Sequence, residues 1–400
     1  MHIKNFIFIL WGGVLTYSCT DANNAVPDKS IYELDFQSIS YSSKPQKLSE
    51  FAESISYIQL SEGPLIPDLE KVNLVIDDKA IYIDTQEQVL KYTPNGNFIQ
   101  PLFKLGPGPE EVSFKLGKAI FNLEKEFVAI RSYSSDQYKL FSLKGDLLET
   151  SQQYFGENKR RKQIVGYDGN NELYCWDYVL PEYGTEFNID GPVFCYVRDM
   201  STDQTILQLP NYHDDIKATY NGKIAVNGNW PIMYGKQDSL HWIKPANVDT
   251  IYQTTDFSSI TPWYVIHKKN SAANYKFNIH AAVGDISRSE ISSPKEDIYY
   301  VLPLQSGILF SYWGKETQEP CYGYCPANGK ANQYSDVPFK NDIDNYLNEI
   351  SFQHLSNCYV KNGYLYMFVD AFRFFEEGSS SPFKTLTPDS NPVILQIKLK

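Results

Sequence analysis

His213-Asp214-Asp215 sets an imidazole beside two carboxylates, the residue types that a general base or a divalent-cation site requires. The triplet follows Leu209-Pro210 in a polar stretch, where the plain alternative is a solvated loop. Flat rings carry a second kind of chemistry. Trp176, Tyr178, Trp230 and Trp242 each join an apolar face to a polar edge and suit stacking on a pyranose, although rings of this size also fill cores. Asp168-Gly169-Asn170-Asn171 holds oxygen ligands of a kind calcium accepts, but lacks the full calcium-loop pattern and reads as a hairpin turn. Cys321 and Cys325 flank a Tyr-Gly-Tyr turn and could pair as a disulfide; zinc is the sharper reading, but no histidine or second cysteine pair stands nearby. Cys175 and Cys195 fall on consecutive predicted strands and could be joined if register opposes them. Glu376-Glu377 reads as solvated. The sequence holds neither a Gly-x-Ser-x-Gly elbow nor a His-Glu-x-x-His helix, so no catalytic residue, metal ligand set or cofactor is assigned.

The elements that must position these residues follow one repeated pattern. In Lys71 to Glu111, runs rich in β-branched and aromatic residues (Val72 to Ile76, Ile81 to Asp84, Val89 to Tyr92) are separated by turn residues, and a fourth run follows Asn95-Gly96. Such an antiparallel unit cannot bury both faces alone, so its recurrence argues for radial stacking as in a β-propeller. A second unit reads as Ala119 to Asn122, Phe127 to Arg131, Tyr138 to Ser142 and Leu147 to Thr150. A third reads as Ile164 to Tyr167, Glu172 to Asp177, Val193 to Asp199 and Thr205 to Leu209, with an insertion from Tyr178 to Gly191. The fourth is less regular: Lys223 to Val226, Ile232 to Gly235, Leu240 to Lys244 and Thr250 to Thr254, then an excursion from Trp263 to Pro294 with a helix near Ala272 to Asp285. The fifth is Ile298 to Leu302, Ile308 to Trp313, Pro320 to Cys325 and Gly329 to Tyr334, followed by a short helix at Asn341 to Glu349. The sixth is Leu355 to Val360, Tyr364 to Val369 and Pro392 to Lys400, with Ser54 to Leu60 as its outer strand. The expected fold is all-β: one six-bladed propeller over residues 31–400, closed by an N-terminal strand that joins the last blade and removes a free edge.

Composition agrees. Aromatics make up 15% of the 400 residues, and no long stretch keeps apolar residues at helical spacing. A formal charge of −12 disfavours nucleic acid, and the basic run Lys159-Arg160-Arg161-Lys162 reads as a solvated loop tip. At the N-terminus, Lys4 precedes an apolar run, Phe6 to Leu15, too short to span a bilayer but suited to a signal-peptide core.

Thr16-Tyr17-Ser18-Cys19 resembles the lipobox of bacterial lipoproteins, in which the cysteine becomes the acylated N-terminus; the alternative is an ordinary secretory signal ending near a cysteine. The resemblance implies a signal peptide over 1–18, lipid on Cys19, and a polar tether over 19–30. Setting Cys19 aside leaves an odd number of the six cysteines, so at least one is free or buried. Lys104 to Phe114, with Gly106, Gly108, Pro109 and Glu111, resembles the connection after the first blade in the six-bladed propeller lipoproteins of Bacteroidetes; Glu110 and Val112 depart from that pattern. The segments SEFAESISYIQLSEGP, Asp249 to Tyr252 with Pro262 to His267, and Asn391 to Ile394 are similar to the same family. Gly106 and Gly108 are expected to serve a tight crossing with unusual φ rather than a phosphate.

The resemblance implies an exported, lipid-anchored propeller and supplies no catalytic residues. The functional expectation is a binding or scaffold protein at the outer membrane that recognises a glycan, a peptide or a partner lipoprotein. The alternative is a glycoside hydrolase or polysaccharide lyase using carboxylates or His213 at the channel mouth.

Overall fold

Period-two alternation of apolar residues becomes a series of small antiparallel sheets in the computed structural model. The structure describes residues 31–66, 68–115, 117–131, 137–152, 161–167, 171–178, 193–199, 202, 204–210, 219–220, 223–224, 233–244, 249–268, 297–313 and 320–400. Among these residues there is no α-helix, only single turns of 3-10 helix.

The first sheet takes its strands in chain order, Asn73–Ile76, Ile81–Asp84, Val89–Tyr92 and Phe98–Pro101. Ile81–Asp84 is buried at every position because it has a strand on each side and packed layers above and below. Asp77 closes the first hairpin by accepting from the Lys79 and Ala80 amides, both at 2.6 Å. At the third hairpin Gly96 has φ +84°, and a Cβ there would stand 2.2 Å from the Gln59 carbonyl oxygen, so no other residue fits. The second sheet (Ile120–Asn122, Phe127–Arg131, Gln137–Ser142, Leu147–Gln152) and the third (Arg161–Tyr167, Asn171–Tyr178, Val193–Asp199, Gln204–Pro210) repeat this order. In the third, Cys175 stands directly opposite Cys195.

The fourth sheet corrects the sequence reading by one strand. Its antiparallel strands are Met233–Gln237, Leu240–Lys244, Thr250–Thr254 and Thr261–Lys268, and a single parallel bridge from Gln237 to Val360 makes them continuous with the sixth group in one ten-stranded sheet. Lys223–Ile224 belongs elsewhere, in a two-stranded hairpin with Thr219–Tyr220. The expected excursion begins too early, since Trp263, Tyr264 and Ile266 are all buried on the fourth strand. Gly235 disguises the first strand: it reads as a terminator, but its missing Cβ makes room for the Trp242 indole, 2.6 Å from where that atom would be. The helix expected near Ala272 to Asp285 lies outside the described residues.

In the fifth sheet, Asp297–Leu304, Gly307–Trp313 and Cys321–Pro326 are paired in order, and a single bridge from Tyr322 to Ser335 brings in Gln333–Tyr334. Cys321 and Cys325 therefore flank a strand rather than a turn. Four residues apart on one extended strand, they are about 13 Å apart, beyond the ~7 Å limit for a disulfide; both are buried free thiols. Gly323 between them receives the Phe310 ring, which would lie 2.4 Å from a Cβ. The helix expected at Asn341 to Glu349 is absent. Asn341 instead accepts from the Ile343 and Asp344 amides and donates to Asp344 Oδ1 and the Leu347 carbonyl, side-chain bonds that compete with a helical backbone.

The sixth sheet is Tyr359–Lys361, Tyr364–Val369, Val393–Leu399 and, from the other end of the sequence, Ala52–Gln59, antiparallel to Val393–Leu399 in the register Ile55 to Ile397, Tyr57 to Leu395 and Gln59 to Val393. This is the pairing expected of Ser54 to Leu60. Residues 31–59 also reach two further sheets. Tyr32–Phe36 lies parallel to Thr261–Lys268, and Ser40–Tyr41 lies parallel to Gln333–Tyr334. The N-terminal segment is thus a strap along the outer edges of the fourth, fifth and sixth sheets, with Phe51 buried among Tyr324, Phe339 and Phe352.

Leu395 is fully buried on the strand between Tyr364–Val369 and the strap. Leu395→Ala is expected to lower the unfolding free energy by about 2–5 kcal/mol, while the exposed Ser56→Ala changes it little; urea denaturation checks both. Opposed antiparallel positions have Cα separations of about 4.5–5.5 Å, inside the disulfide range. Oxidative refolding is therefore expected to remove two titratable thiols, a loss absent from a Cys175→Ser/Cys195→Ser variant.

Candidate functional site

Antiparallel sheets alternate their connections between two ends, and here the two ends differ. Among the described residues one end carries the short hairpins 77–80, 123–126, 238–239, 305–306 and 362–363. The other carries 85–88 and 370–392, together with the crossings between sheets. The hairpin tips are tied to one another: Lys79 pairs with Glu126 at 2.6 Å, Lys361 with Asp78 at 3.1 Å, and the Asn362 amide donates to Asp238. The long connections also meet, with Asn357 Nδ2 donating to the carbonyls of Leu69 and Glu70.

A buried charge pair organises the first crossing, residues 102–119. Asp84, at the end of its strand, and Lys115 are 2.8 Å apart with side chains 1% and 3% exposed. Lys115 Nζ also donates to the carbonyls of Thr85 and Gly117, and Asp84 Oδ2 accepts from the Ala119 amide at 2.8 Å. Burial pushes the Asp84 carboxyl up from its ordinary range, and the Lys115 ammonium pulls against it. Earlier in this crossing, Glu111 Oε2 accepts from the Gly108 amide at 2.9 Å and occupies the space a Cβ would need at Gly106, 2.0 Å away. Neither Gly106 nor Gly108 has a positive φ, which corrects the expected reason for glycine. What these positions require is room for a carboxylate, not an unusual backbone.

A cleft of about 700 Å³ opens at the rim, where the end of the strap strand meets the first sheet. Gln59 and Ser61 come from the strap, Asn95 and Asn97 from a hairpin of the first sheet, and Thr385 and Asp389 from the 370–392 connection of the sixth. Asn391 fixes the floor: its Oδ1 accepts from the Ile66 amide at 3.1 Å, and its Nδ2 donates to the Ser61 and Pro64 carbonyls. The Ser61 hydroxyl accepts from the Phe98 amide, tying strap to sheet. On one wall, Tyr57 donates to Asp344 at 2.8 Å, and burial followed by that carboxylate holds its phenol well above the usual range.

Of the ligand-binding residues proposed from sequence, the structure describes Trp176, Tyr178 and Trp242. His213, Asp215 and Trp230 lie outside the described residues, as do 168–170 of the calcium-like loop. Trp176 and Tyr178 fall on one strand of the third sheet. Trp242 is 1% exposed and packs edge-on against Tyr300, which leaves no ring face for a sugar. Glu376 and Glu377 are exposed, with Glu376 bonded to Arg373. Among the described residues no group of three His, Cys, Asp or Glu side chains is placed to hold a metal. The cleft residues went unnoticed in the sequence. The available signal was TLTPDSN at 385–391, a hydroxyl-rich and amide-bearing run in a connection longer than a hairpin needs.

No family model matches the sequence, and neither does any curated protein. Two solved structures share its fold. One, from Bacteroides fragilis and described as an exported protein, covers 93% of this chain and 100% of its own at 12% identity, with a TM-score of 0.57. The other, a member of the DUF4221 family from Bacteroides vulgatus, covers 87% of this chain and 97% of its own at 10% identity, with a TM-score of 0.53. No helix among the described residues is long and apolar enough to cross a membrane.

Lys115→Met leaves Asp84 buried without its partner and is expected to destabilise the fold by about 3–5 kcal/mol. Adding Asp84→Leu should recover most of that loss in thermal or urea unfolding.

Proposed function

We propose that this protein is an exported, lipid-anchored six-bladed β-propeller that acts as a binding or scaffold protein at the outer membrane, with a glycan or a partner protein as its ligand. Residues 1–18 serve as signal peptide, Cys19 carries the lipid, 19–30 form the tether and 31–400 the propeller. The carrying observation is that, among the described residues, the long connection 370–392 lies at the end of the sheets opposite the short, mutually bonded hairpins. That division suits a rigid scaffold presenting variable loops. Successive antiparallel strand groups in chain order, with the strap strand paired to Val393–Leu399, support the blade count. The fold shared with a Bacteroides fragilis protein described as exported supports the location. The apolar run ahead of Cys19 supports the anchor.

Cys19→Ala is expected to abolish incorporation of a labelled fatty acid and to release the protein from the membrane fraction; unchanged labelling would refute the anchor. Glycan arrays and pull-downs with the lipidated chain are expected to retain a saccharide or a partner. Turnover of a polysaccharide with nothing retained would overturn the binding role.

A further inference from the structure

We propose that the rim cleft between the strap, the first sheet and the 370–392 connection is a binding site for an uncharged oligosaccharide. This deepens the binding role proposed above and rests on it. The cleft, at about 700 Å³, falls within the ~300–1,000 Å³ typical of small-ligand sites. Its lining is unlike that of a typical drug-like pocket, which is mainly apolar. Amides come from Gln59, Asn95 and Asn97, and hydroxyls from Thr385, Thr387 and Ser390. Short neutral groups that both donate and accept match vicinal sugar hydroxyls, which do the same, and ordering them costs less side-chain entropy than ordering lysine or arginine.

Two carboxylates, Glu62 and Asp389, add strong acceptors for hydroxyl donors. No lysine, arginine or histidine lines the cleft. A phosphate or a uronate would therefore meet two negative charges with no compensating cation, on a protein of formal charge −12. Phe383 supplies a ring, and Leu65, 77% exposed, an apolar surface for the hydrophobic face of a sugar.

The rigid and free parts of the lining are also separated. Asn391 is fully engaged in holding residues 61–66, and Gly96 packs directly against the Gln59 backbone. By contrast, the side chains of Glu62, Asn95, Asn97 and Asp389 are exposed and make no hydrogen bond among the described residues. The floor is built, Thr385 donates to Gln59 and Thr387 bonds to Ser390, and the hydrogen-bonding capacity to spare lies with Glu62, Asn95, Asn97 and Asp389.

The test is a glycan array of neutral and acidic oligosaccharides with the intact chain, followed by calorimetric titration of the best neutral binder, with hexagalacturonate as the anionic control. A neutral oligosaccharide should bind with little dependence on salt. Asn97→Ala and Asp389→Ala, both at exposed positions, should each weaken binding about tenfold with unchanged thermal midpoints. Preference for hexagalacturonate would overturn the proposal, as would wild-type affinity in both variants; the second result places the saccharide elsewhere and leaves the binding role standing. Retention of a peptide or protein partner with no saccharide bound refutes the ligand class but not the binding role. Retention of nothing refutes both.

Discussion

The pairing of Ala52–Gln59 with Val393–Leu399 is the constraint on which the rest depends. A sheet that ended at Val393–Leu399 would present a row of unpaired backbone donors and acceptors, a template for aggregation. The strap covers Val393–Leu399, taking the outermost place itself, and also brings a second layer of packing. Ile394 and Leu60, on the two partners, join Leu74, Ile83 and Tyr92 of the first sheet in one buried cluster. The hydrogen-bond ladder and the core between the sixth and first sheets are therefore one interaction. Losing the ladder would expose apolar surface on a neighbouring sheet as well as on its own.

The remaining joints are made differently around the molecule. Between the first and second sheets the core of Tyr82, Val128, Ile130 and Phe141 is supplemented by the Asp84–Lys115 pair, which holds the crossing against the strand it leaves. Across the fourth, fifth and sixth sheets the strap contributes Leu34, Phe36 and Phe51 to a single large cluster. Aromatic rings are the common currency here, as a chain with 30 Tyr and 23 Phe would suggest. Some of their hydroxyls are paired, as with Tyr324 and the Ser306 carbonyl, while that of the buried Tyr92 is not. The rim cleft is a by-product of the seam: three segments distant in sequence converge there because the strap must reach the sixth sheet past a hairpin of the first.

Much of this order was legible in the residues. The first three sheets follow the alternation of β-branched and aromatic residues almost strand for strand, because each strand is short, local and bounded by Asp, Asn or Gly turns. The closing strand was legible for a different reason: Ser54 to Leu60 is a good strand with no hairpin partner of its own. The fourth sheet was misread because Gly235 signals a break locally while serving Trp242 packing across the sheet, a tertiary reason no short window contains. Asn341 misled in the opposite direction, since its side chain settles a loop that pattern alone presents as a helix. The parallel placements of Tyr32–Phe36 and Ser40–Tyr41 had no sequence signal, because their partners lie hundreds of residues away. The candidate site was the least legible part. Its polar groups are individually ordinary, and only the meeting of three segments gives them meaning.

The strap also dictates an order of events. Residues 31–59 leave the ribosome early, yet their partners at 261–268, 333–334 and 393–399 are made much later, the last of them at the end of synthesis. The last of these pairings can form only after nearly the whole polypeptide is available, and such distant pairings are slow to form. A chain built this way stays unfinished while it is being produced, and its final ladder closes only once synthesis is complete.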